Sequence, residues 1–225
     1  MMEIGSHDVN VPTNKKRVNV TLSEFLISRT EVTWGQWMNV FGKTSAENRL
    51  GRSLRDDELE MPVTNVSYYE IVAFCRVLTA ILVSDGFESG QVLLPTEAQW
   101  EYVAMADKNI TGIIADRRKY LTGRENFETN APWKCGSGQA NELGVFDMLG
   151  NVFEFVRDVY SDTLITGTDP VRIGSADIWN LRLTIKGGCF GRPVSWCHFS
   201  ERNSAEPHFK SEETGFRVVW ERTRK

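Results

Sequence analysis

The 225-residue chain carries 26 Lys and Arg residues against 30 Asp and Glu residues, for a formal net charge of -4 at pH 7. A chain of this length can bury one sizeable core, and its mildly acidic balance argues against a general affinity for nucleic acid. The sequence contains no apolar run long enough to cross a bilayer and no signal-peptide pattern at its start. We therefore expect a single domain over residues 1–225 that acts as a monomer, binds a ligand that is itself a protein, and does not span a membrane.

An alternation of apolar and polar residues predicts a strand near the N-terminus. Val18, Val20 and Leu22 occupy alternate positions within residues 17–27, with polar residues between them. This period of two is typical of a strand with one buried face. The pattern predicts a half-buried strand that pairs early in the sheet.

Three capping boxes predict three helices. In a capping box, a hydroxyl residue and a Glu or Gln three positions later satisfy each other's backbone N–H groups at a helix start. The pairs are Thr33 with Gln36, Ser67 with Glu70, and Thr96 with Gln99, which predict helices near residues 34–41, 68–83 and 97–105.

The second of these helices has the clearest buried face. Its apolar residues recur at steps of three and four before Gly86, which can end the helix. They are Ile71, Phe74, Cys75, Leu78, Ile81 and Leu82. A lone thiol on such a face behaves as a small apolar residue, so we expect Cys75 to be buried and without a chemical role.

After residue 106 the chain reads as short strands and long loops, and such loops usually bind something or are cross-linked. The segment 185–220 has two strand-like ends enclosing a stretch of aromatic, imidazole, thiol, acidic and guanidinium side chains. This stretch has neither the period of a buried helix nor that of a long strand. It therefore predicts a binding surface displayed on a scaffold.

Five motifs stand in order along the chain. They are Glu31-Val-Thr-Trp-Gly-Gln-Trp37; Met61-Pro-Val-Thr-Asn-Val-Ser67, leading to Ala73-Phe-Cys75; Leu94-Pro-Thr-Glu-Ala-Gln-Trp-Glu-Tyr102; Gly144-Val-Phe-Asp-Met-Leu-Gly-Asn-Val-Phe-Glu-Phe155; and Gly187-Gly188 followed by Gly215-Phe-Arg-Val-Val219. Together they resemble the formylglycine-generating-enzyme family, also called the sulfatase-modifying-factor domain. The resemblance implies an α+β, C-type-lectin-like fold with two or three helices, a small twisted antiparallel sheet and long irregular loops.

The enzymes of that family oxidise a substrate cysteine with copper held by two cysteines five positions apart. In this chain the second position corresponds to Cys197, and the first falls on Arg192. A guanidinium cannot replace a thiolate as a soft ligand for Cu(I). We therefore expect a buried, structural Cys197 and no catalytic residues, although a different pair of Cys189 with Cys197 is a minor alternative.

Within the same fold, the chain resembles the variable proteins of diversity-generating retroelements, of the Treponema variable protein type. In those proteins the diversified positions lie between the Gly-Gly strand and the Gly-Phe-Arg-Val strand. The resemblance implies a non-catalytic, hypervariable receptor at the cell surface or exported, with residues 189–210 contacting the ligand. The alternative is a copper-dependent formylglycine-generating oxidase or a related sulfatase-modifying enzyme.

The candidate ligand-binding residues combine the side chains that dominate interfaces with the polar groups around them. They are Cys189, Phe190, Arg192, Ser195, Trp196, His198, Glu201, Asn203 and His208. Arg202 is set apart, because it resembles a scaffold arginine of the family. The spacing of His198 and His208 matches no compact metal motif.

A glycine turn supplies a candidate metal site. Asp147, Gly150, Val152 and Glu154 offer two carboxylates and two carbonyls, the hard oxygen ligands that calcium prefers. In the family these positions hold a structural calcium ion. The alternative is a turn in which Asp147 caps a neighbouring amide and Glu154 is ion-paired.

Overall fold

The computed structural model of the protein describes residues 2–4, 7–12, 17–106, 130–174, 181–192 and 197–223. Within these ranges the helices are α1 (Trp34–Phe41), α2 (Lys43–Leu50), α3 (Tyr68–Ser84) and α4 (Glu97–Ala104), with a 3-10 turn at Asp56–Glu58. The strands are β1 (Met2–Ile4), β2 (His7–Pro12), β3 (Arg17–Leu22), β4 (Phe25–Ile27), β5 (Gly90–Leu93), β6 (Phe153–Val159), β7 (Gly167–Thr168), β8 (Leu183–Lys186), β9 (Asn203–Ala205), β10 (Thr214–Gly215) and β11 (Val219–Arg222).

In the described part of the chain the strands form three sheets. The first has the order β1-β4-β11-β5 and is antiparallel throughout. The second has the order β10-β6-β8-β9, with β10 parallel to β6 and the other pairs antiparallel. The third has the order β2-β3-β7, with β3 parallel to β7. The α+β class with short strands is confirmed, and two short parallel pairings accompany the antiparallel ones.

The strand predicted over residues 17–27 is divided between two sheets. Its first part, β3, pairs with β2, whereas its second part, β4, pairs with β1 and β11. Ser23 lies between them and donates its backbone N–H and its hydroxyl to Asp169, at 2.6 and 2.7 Å. The Asp169 carboxylate thus accepts the backbone N–H of Ser23, which would otherwise be available to pair with a neighbouring strand. At this point the chain leaves one sheet and enters the next.

The three predicted helices are confirmed, and each begins at its predicted capping box. At α1, the Gln36 N–H donates to the Thr33 hydroxyl at 3.2 Å and the Thr33 N–H donates to the Gln36 side-chain carbonyl at 3.0 Å. At the end of α3, Gly86 adopts a left-handed φ of +85°, and the Phe87 N–H donates to the Leu82 carbonyl at 2.9 Å. Glycine adopts this conformation without steric cost, so the helix ends where the sequence predicts.

Helix α2 was not predicted, because the sequence carries no signal for it. It begins after Gly42 without a side-chain cap, and of its eight residues only Ala46 is buried. Of the helices in the described ranges, none has both the length and the apolar character needed to cross a bilayer.

Aromatic rings join the C-terminal part of the chain to the helices. Trp37 stacks on Phe74 with ring centroids 5.4 Å apart, and Phe216 meets Phe74 edge-on at 5.3 Å. All three side chains are at most 1% exposed. Offset and edge-on aromatic pairs of this kind add to the free energy gained by burial alone. The residues just before β11 are therefore fixed against α1 and α3.

Candidate ligand-binding site

A recess opens on one face of the second sheet, beside the segment predicted to bind a ligand. Phe153 of β6 lies opposite Thr214 of β10, and Ile185 of β8 lies opposite Asn203 of β9. All four residues line the recess, which has a volume of about 280 Å³. Its floor is therefore held by strand pairing rather than by loop contacts.

Two arginines border the recess. Arg192 lies 3.3 Å from Glu213, and the two side chains are 45% and 31% exposed. Arg182 donates to the hydroxyl and the carbonyl of Ser204, both at 2.8 Å, and lies 3.6 Å from Glu206. Ion pairs this exposed contribute little to stability, so a ligand group can compete for them at small cost.

The recess continues into a partly exposed aromatic edge, the aromatic rim of Tyr69, His208 and Phe209. Phe209 lines the recess and is 44% exposed. The ring of the preceding residue, His208, lies 4.7 Å from the ring of Tyr69, which is 47% exposed. Exposed aromatic side chains beside charged ones are typical of surfaces that bind another molecule.

Beside the rim, Glu70 holds three side chains together. It accepts hydrogen bonds from Arg49 at 2.6 Å, Lys210 at 2.9 Å and the Ser67 hydroxyl at 2.7 Å. Partial burial would raise the pKa of Glu70, but these hydrogen bonds lower it to about 2. The carboxylate is therefore ionised at neutral pH and ties Lys210 to the start of α3.

The structure brings together part of the predicted binding set. Arg192 and Asn203 line the recess, and His208 belongs to the aromatic rim. Ser195 and Trp196 lie outside the described residues.

His198 and Glu201 are half-buried and are not part of the recess lining. His198 Nδ1 accepts a hydrogen bond from the Ser200 N–H at 3.1 Å, and its ring lies 4.3 Å from that of Phe199. These contacts give His198 a local role in shaping the loop.

The prediction that Cys189 and Phe190 contact the ligand is wrong. Their side chains are 0% and 6% exposed and belong to the hydrophobic core. The preceding glycines adopt left-handed φ values, +94° at Gly187 and +80° at Gly188, which other residues rarely adopt. This turn directs the following two side chains inward, where an external ligand cannot reach them.

Sequence reasoning missed several residues of the recess. Arg182 lies before the Gly-Gly turn, and no local pattern marks it. Phe209 is the one hydrophobic residue in the polar run from His208 to Glu213, and that isolation was a usable signal. Glu213 could be found only from the structure, which places it beside Arg192.

Three of the cysteines are buried in the core rather than forming an exposed pair. Cys197 is 0% exposed, which confirms the expectation of a buried residue, and Cys75 is buried as predicted. A Cβ atom on Gly188 would lie 2.5 Å from the Cys197 Sγ, so the sulfur packs directly against the Gly-Gly turn. Burial raises the pKa of Cys189 to about 12 and that of Cys75 to about 12. Both of these thiols are protonated at neutral pH.

Arg202 has the structural role that the sequence assigned to it. Its guanidinium donates to both oxygens of Glu97, at 2.5 and 2.9 Å, and to the Ser161 carbonyl at 2.6 Å. It also lies 5.0 Å from the centre of the Tyr160 ring. A bidentate pair of this kind fixes both position and orientation, so Arg202 anchors the entry to β9 at the start of α4.

The two carboxylates of the candidate calcium set are engaged in other contacts. Glu154 is 1% exposed and accepts hydrogen bonds from the Trp100 indole N–H at 2.7 Å and from two nitrogens of Arg217, both at 2.7 Å. Asp147 accepts from the Gly136 N–H at 2.5 Å and from the Trp133 indole N–H at 3.3 Å. This is the alternative that the sequence left open, with an amide-capping Asp147 and an ion-paired Glu154.

The arrangement around Glu154 does not fit a calcium ion. Both lone pairs of its Oε2 are used, and Arg217 also donates to the carbonyls of Phe146 and Asp147, at 3.0 and 3.3 Å. The guanidinium thus supplies the positive charge that calcium would bring to Asp147 and Glu154. Among the described residues there is no group of three or more His, Cys, Asp and Glu side chains that could hold a metal ion.

A family model described as the Sulfatase-modifying factor enzyme 1-like domain matches residues 2–222, and the chain belongs to this family. The chaperone protein LppX of Paenibacillus barcinonensis is 28% identical over 192 residues, which cover 64% of this chain and 65% of the relative. The formylglycine-generating enzyme of Mycobacterium tuberculosis is 26% identical over 210 residues, which cover 83% of this chain and 66% of the relative. The chain thus spans just under two thirds of the length of each.

Solved structures show the same fold. Treponema denticola variable protein 1 superposes with a TM-score of 0.79 at 23% identity, over 97% of this chain and 94% of the other. PvdO from Pseudomonas aeruginosa gives 0.73 at 19% identity, over 97% and 93%. CarF gives 0.65 at 21% identity, over 97% and 96%. The lectin-like architecture expected from the motifs is therefore present.

Proposed function

We propose that the protein is a non-catalytic ligand-binding receptor whose recess and aromatic rim take the ligand. The observation that carries the proposal is the placement of Arg192. By the family resemblance, this position would hold the first of two copper-binding cysteines in an oxidase. Here its guanidinium lines the recess and pairs with Glu213. A guanidinium offers no soft donor atom to Cu(I). Arginine is, however, one of the residues that contribute most binding energy at interfaces.

The remaining thiols support a binding role. Copper binds the thiolate form of cysteine, and thiolates need an exposed or electropositive environment. Cys189 and Cys197 are each 0% exposed, and burial raises the pKa of Cys189 to about 12. Both side chains are therefore shielded from a copper ion or a substrate in solution.

The segment beside the recess is already ordered by backbone hydrogen bonds. The Asn65 N–H donates to the Ser211 carbonyl at 2.9 Å, and the Tyr68 N–H donates to the Pro207 carbonyl at 3.0 Å. Loops that are fixed before binding lose less conformational entropy when a ligand arrives. The scaffold can therefore accept different exposed side chains without losing the shape of the site.

We further propose that the exposed positions of residues 189–210 are diversified by a retroelement and that the protein is displayed at the cell surface or exported. The shared fold with a variable protein and the mixed chemistry of this segment support the proposal. Sequencing the genomic neighbourhood tests it, with a reverse-transcriptase gene and a near-copy of the final coding segment as the expected result. Variation should fall on Arg192 and Asn203 and spare Cys189; equal variation at the buried position would contradict the proposal.

Membership of the family and the relative from Mycobacterium tuberculosis favour a second candidate, a copper-dependent oxidase or related sulfatase-modifying enzyme. The test is anaerobic loading with Cu(I), followed by oxygen and a cysteine-containing peptide. We expect no stoichiometric copper and no aldehyde product. The matched control is Arg192→Cys, which restores the family's five-residue spacing to Cys197. Tight copper uptake and aldehyde formation by the unaltered protein would overturn the receptor proposal.

A further inference from the structure

A second and larger cavity lies apart from the recess. Its volume is about 670 Å³, and its lining includes Tyr68 at the start of α3, Gln99 of α4, Arg157 of β6 and Glu221 of β11. Pockets that hold small molecules have volumes of roughly 300–1,000 Å³. The residues that line this cavity are different from those that line the recess, so its occupant would be a different molecule.

One wall of the cavity is apolar. It is built from branched aliphatic side chains, including Val159 and Leu183 from neighbouring strands and Val171 from the segment after β7. Ile173 stands at the same wall and is 83% exposed. A bound aliphatic group would remove this surface from water, which is the main favourable term for such a site.

The charged groups of the remaining lining are engaged with other protein groups, since Arg222 pairs with Glu24 and Asp169 accepts from Ser23. Arg157 Nη2 lies 2.7 Å from Glu221 Oε1, and Gln99 Nε2 donates to the same oxygen at 3.1 Å. The second contact of the ion pair, from Arg157 Nη1 to Glu221 Oε2, is 3.5 Å long. Because this contact is long, Nη1 and Oε2 are only weakly hydrogen-bonded to each other. They lie side by side as a donor and an acceptor that a ligand can use.

Tyr68 also lines the cavity, and its hydroxyl is close enough to Arg157 to interact with the guanidinium charge. The Tyr68 ring packs against Phe155 with centroids 6.1 Å apart. Burial raises the pKa of Tyr68, so its hydroxyl stays protonated. A neighbouring donor, acceptor and hydroxyl match an uncharged amide group, which has one carbonyl and one N–H. They do not match an ion, because an ion would separate Arg157 from Glu221 and leave one of them without its partner.

We propose that this cavity binds an uncharged, amide-bearing small molecule with a branched aliphatic group. The ligand's carbonyl accepts from Arg157 Nη1 and the Tyr68 hydroxyl, and its amide N–H donates to Glu221 Oε2. The aliphatic group packs on Val159, Val171 and Ile173.

N-acetyl-L-leucinamide is a suitable probe, followed by two-dimensional NMR of the full chain. Saturable shifts at residues around the cavity are expected. N-acetylglycinamide lacks the aliphatic group and should bind about tenfold or more weakly. The anion 4-methylpentanoate keeps the aliphatic group without the amide and should also bind more weakly. Equal binding of 4-methylpentanoate, or no saturable shift up to the solubility limit of the leucinamide, would overturn the proposal.

Variants locate the site. Tyr68→Phe keeps the ring contact with Phe155 and removes one hydrogen bond, so the leucinamide should bind about threefold to tenfold more weakly. Val171→Trp fills the cavity and should abolish binding, with unchanged shifts in the distant core as the check that it folds. Arg192→Ala changes the recess and should leave leucinamide binding unaltered. Binding that survives both cavity variants unchanged would refute the site, and neither result bears on the receptor proposal.

Discussion

Arg217 and Glu154 form an ion pair inside the domain, with two nitrogen–oxygen distances of 2.7 Å and side chains that are 0% and 1% exposed. Glu154 follows Phe153 on β6, and successive residues of a strand face opposite sides of a sheet. Phe153 lines the recess, so the Glu154 side chain lies on the opposite face of the same strand. The ion pair therefore joins the residues before β11 to the strand that forms the floor of the candidate site.

Removing one partner of this pair should destabilise the protein strongly. Arg217→Met leaves a buried carboxylate without its counter-charge, and we expect the free energy of unfolding to fall by about 3–5 kcal/mol. Urea denaturation followed by fluorescence measures this change. Lys134→Met is the matched control, because Lys134 and Glu60 form a pair with side chains 53% and 70% exposed. A loss at Arg217 no larger than the loss at Lys134 would contradict the structural role of the pair.

The same guanidinium leads to a prediction about calcium. Because Arg217 supplies positive charge at Glu154 and Asp147, a chelator such as EDTA should leave the melting temperature unchanged. Native mass spectrometry should show no retained calcium. A fall in melting temperature with EDTA that calcium restores would show that an ion shares the site with Arg217.

The sequence predicted those features that have a local cause. The capping boxes at Thr33, Ser67 and Thr96 located three helix starts, because a cap is formed within four residues. Helix α2 was missed because it has no cap and buries little. The division of residues 17–27 into two strands depends on Ser23 contacting Asp169, which is 146 positions away. A contact between residues so far apart in the chain leaves no local pattern in the sequence.

The candidate site shows the same limit. Arg192 was identified because a family position was occupied by the wrong chemistry, and it lines the recess. Cys189 and Phe190 were misplaced because a mixed loop sequence does not show which side chains point inward. Their direction follows from the left-handed turn at Gly187 and Gly188. Asp147 and Glu154 were singled out as calcium ligands, but in the structure both contact Arg217, which lies 63 residues after Glu154 in the chain and could not be paired with them from the sequence.

Thiol labelling tests the burial of the cysteines. Cys75, Cys189 and Cys197 are at most 4% exposed, and burial raises the pKa of the first two to about 12. We expect each of the three to react with Ellman's reagent only as fast as the protein unfolds, and to react promptly in urea. Arg192→Cys provides a reference thiol at a position where the native side chain is 45% exposed, and it should label quickly in the folded protein. Rapid labelling of native Cys197 would favour the enzymatic candidate over the receptor.

Asp158 should give the protein a pH-dependent stability. Its side chain is 4% exposed; burial raises its pKa to about 6, despite hydrogen bonds from the N–H groups of Arg172 and Glu97 at 2.9 and 2.8 Å. Because the folded pKa lies above the ordinary value of 3.8, the contribution to stability is complete below pH 3.8 and is lost as the pH rises through about 6. The loss should reach up to about 3 kcal/mol.

Comparing the native chain with Asp158→Asn isolates this contribution, since an amide does not titrate. The variant should show a flatter dependence of unfolding free energy on pH across that window. Carbon-detected NMR of the Asp158 carboxyl gives the pKa directly. A midpoint at or below the ordinary value would remove the basis of the prediction.

Gly188→Ala tests how closely Cys197 packs against the Gly-Gly turn. Gly188 has a φ of +80°, and an added Cβ would lie 2.5 Å from the Cys197 Sγ and 3.0 Å from its Cα. Gly51→Ala is the matched control, because Gly51 has a φ of +67° and nothing within 4 Å of an added Cβ. Both variants carry the strain of a left-handed alanine, roughly 1–2 kcal/mol. Overpacking should lower the free energy of unfolding of Gly188→Ala by about 1–3 kcal/mol beyond the loss in Gly51→Ala. Urea denaturation measures both values.

Combining Gly188→Ala with Cys197→Ala separates the sulfur from the backbone. Removal of the Sγ eliminates the shortest approach, so the excess cost of Gly188→Ala should shrink in the double variant without vanishing, because the added methyl group still lies close to the backbone of residue 197. Equal costs for Gly188→Ala and Gly51→Ala would mean that the sulfur can move away from the turn. In that case packing against the Gly-Gly turn would not be what holds the Cys197 sulfur in the core.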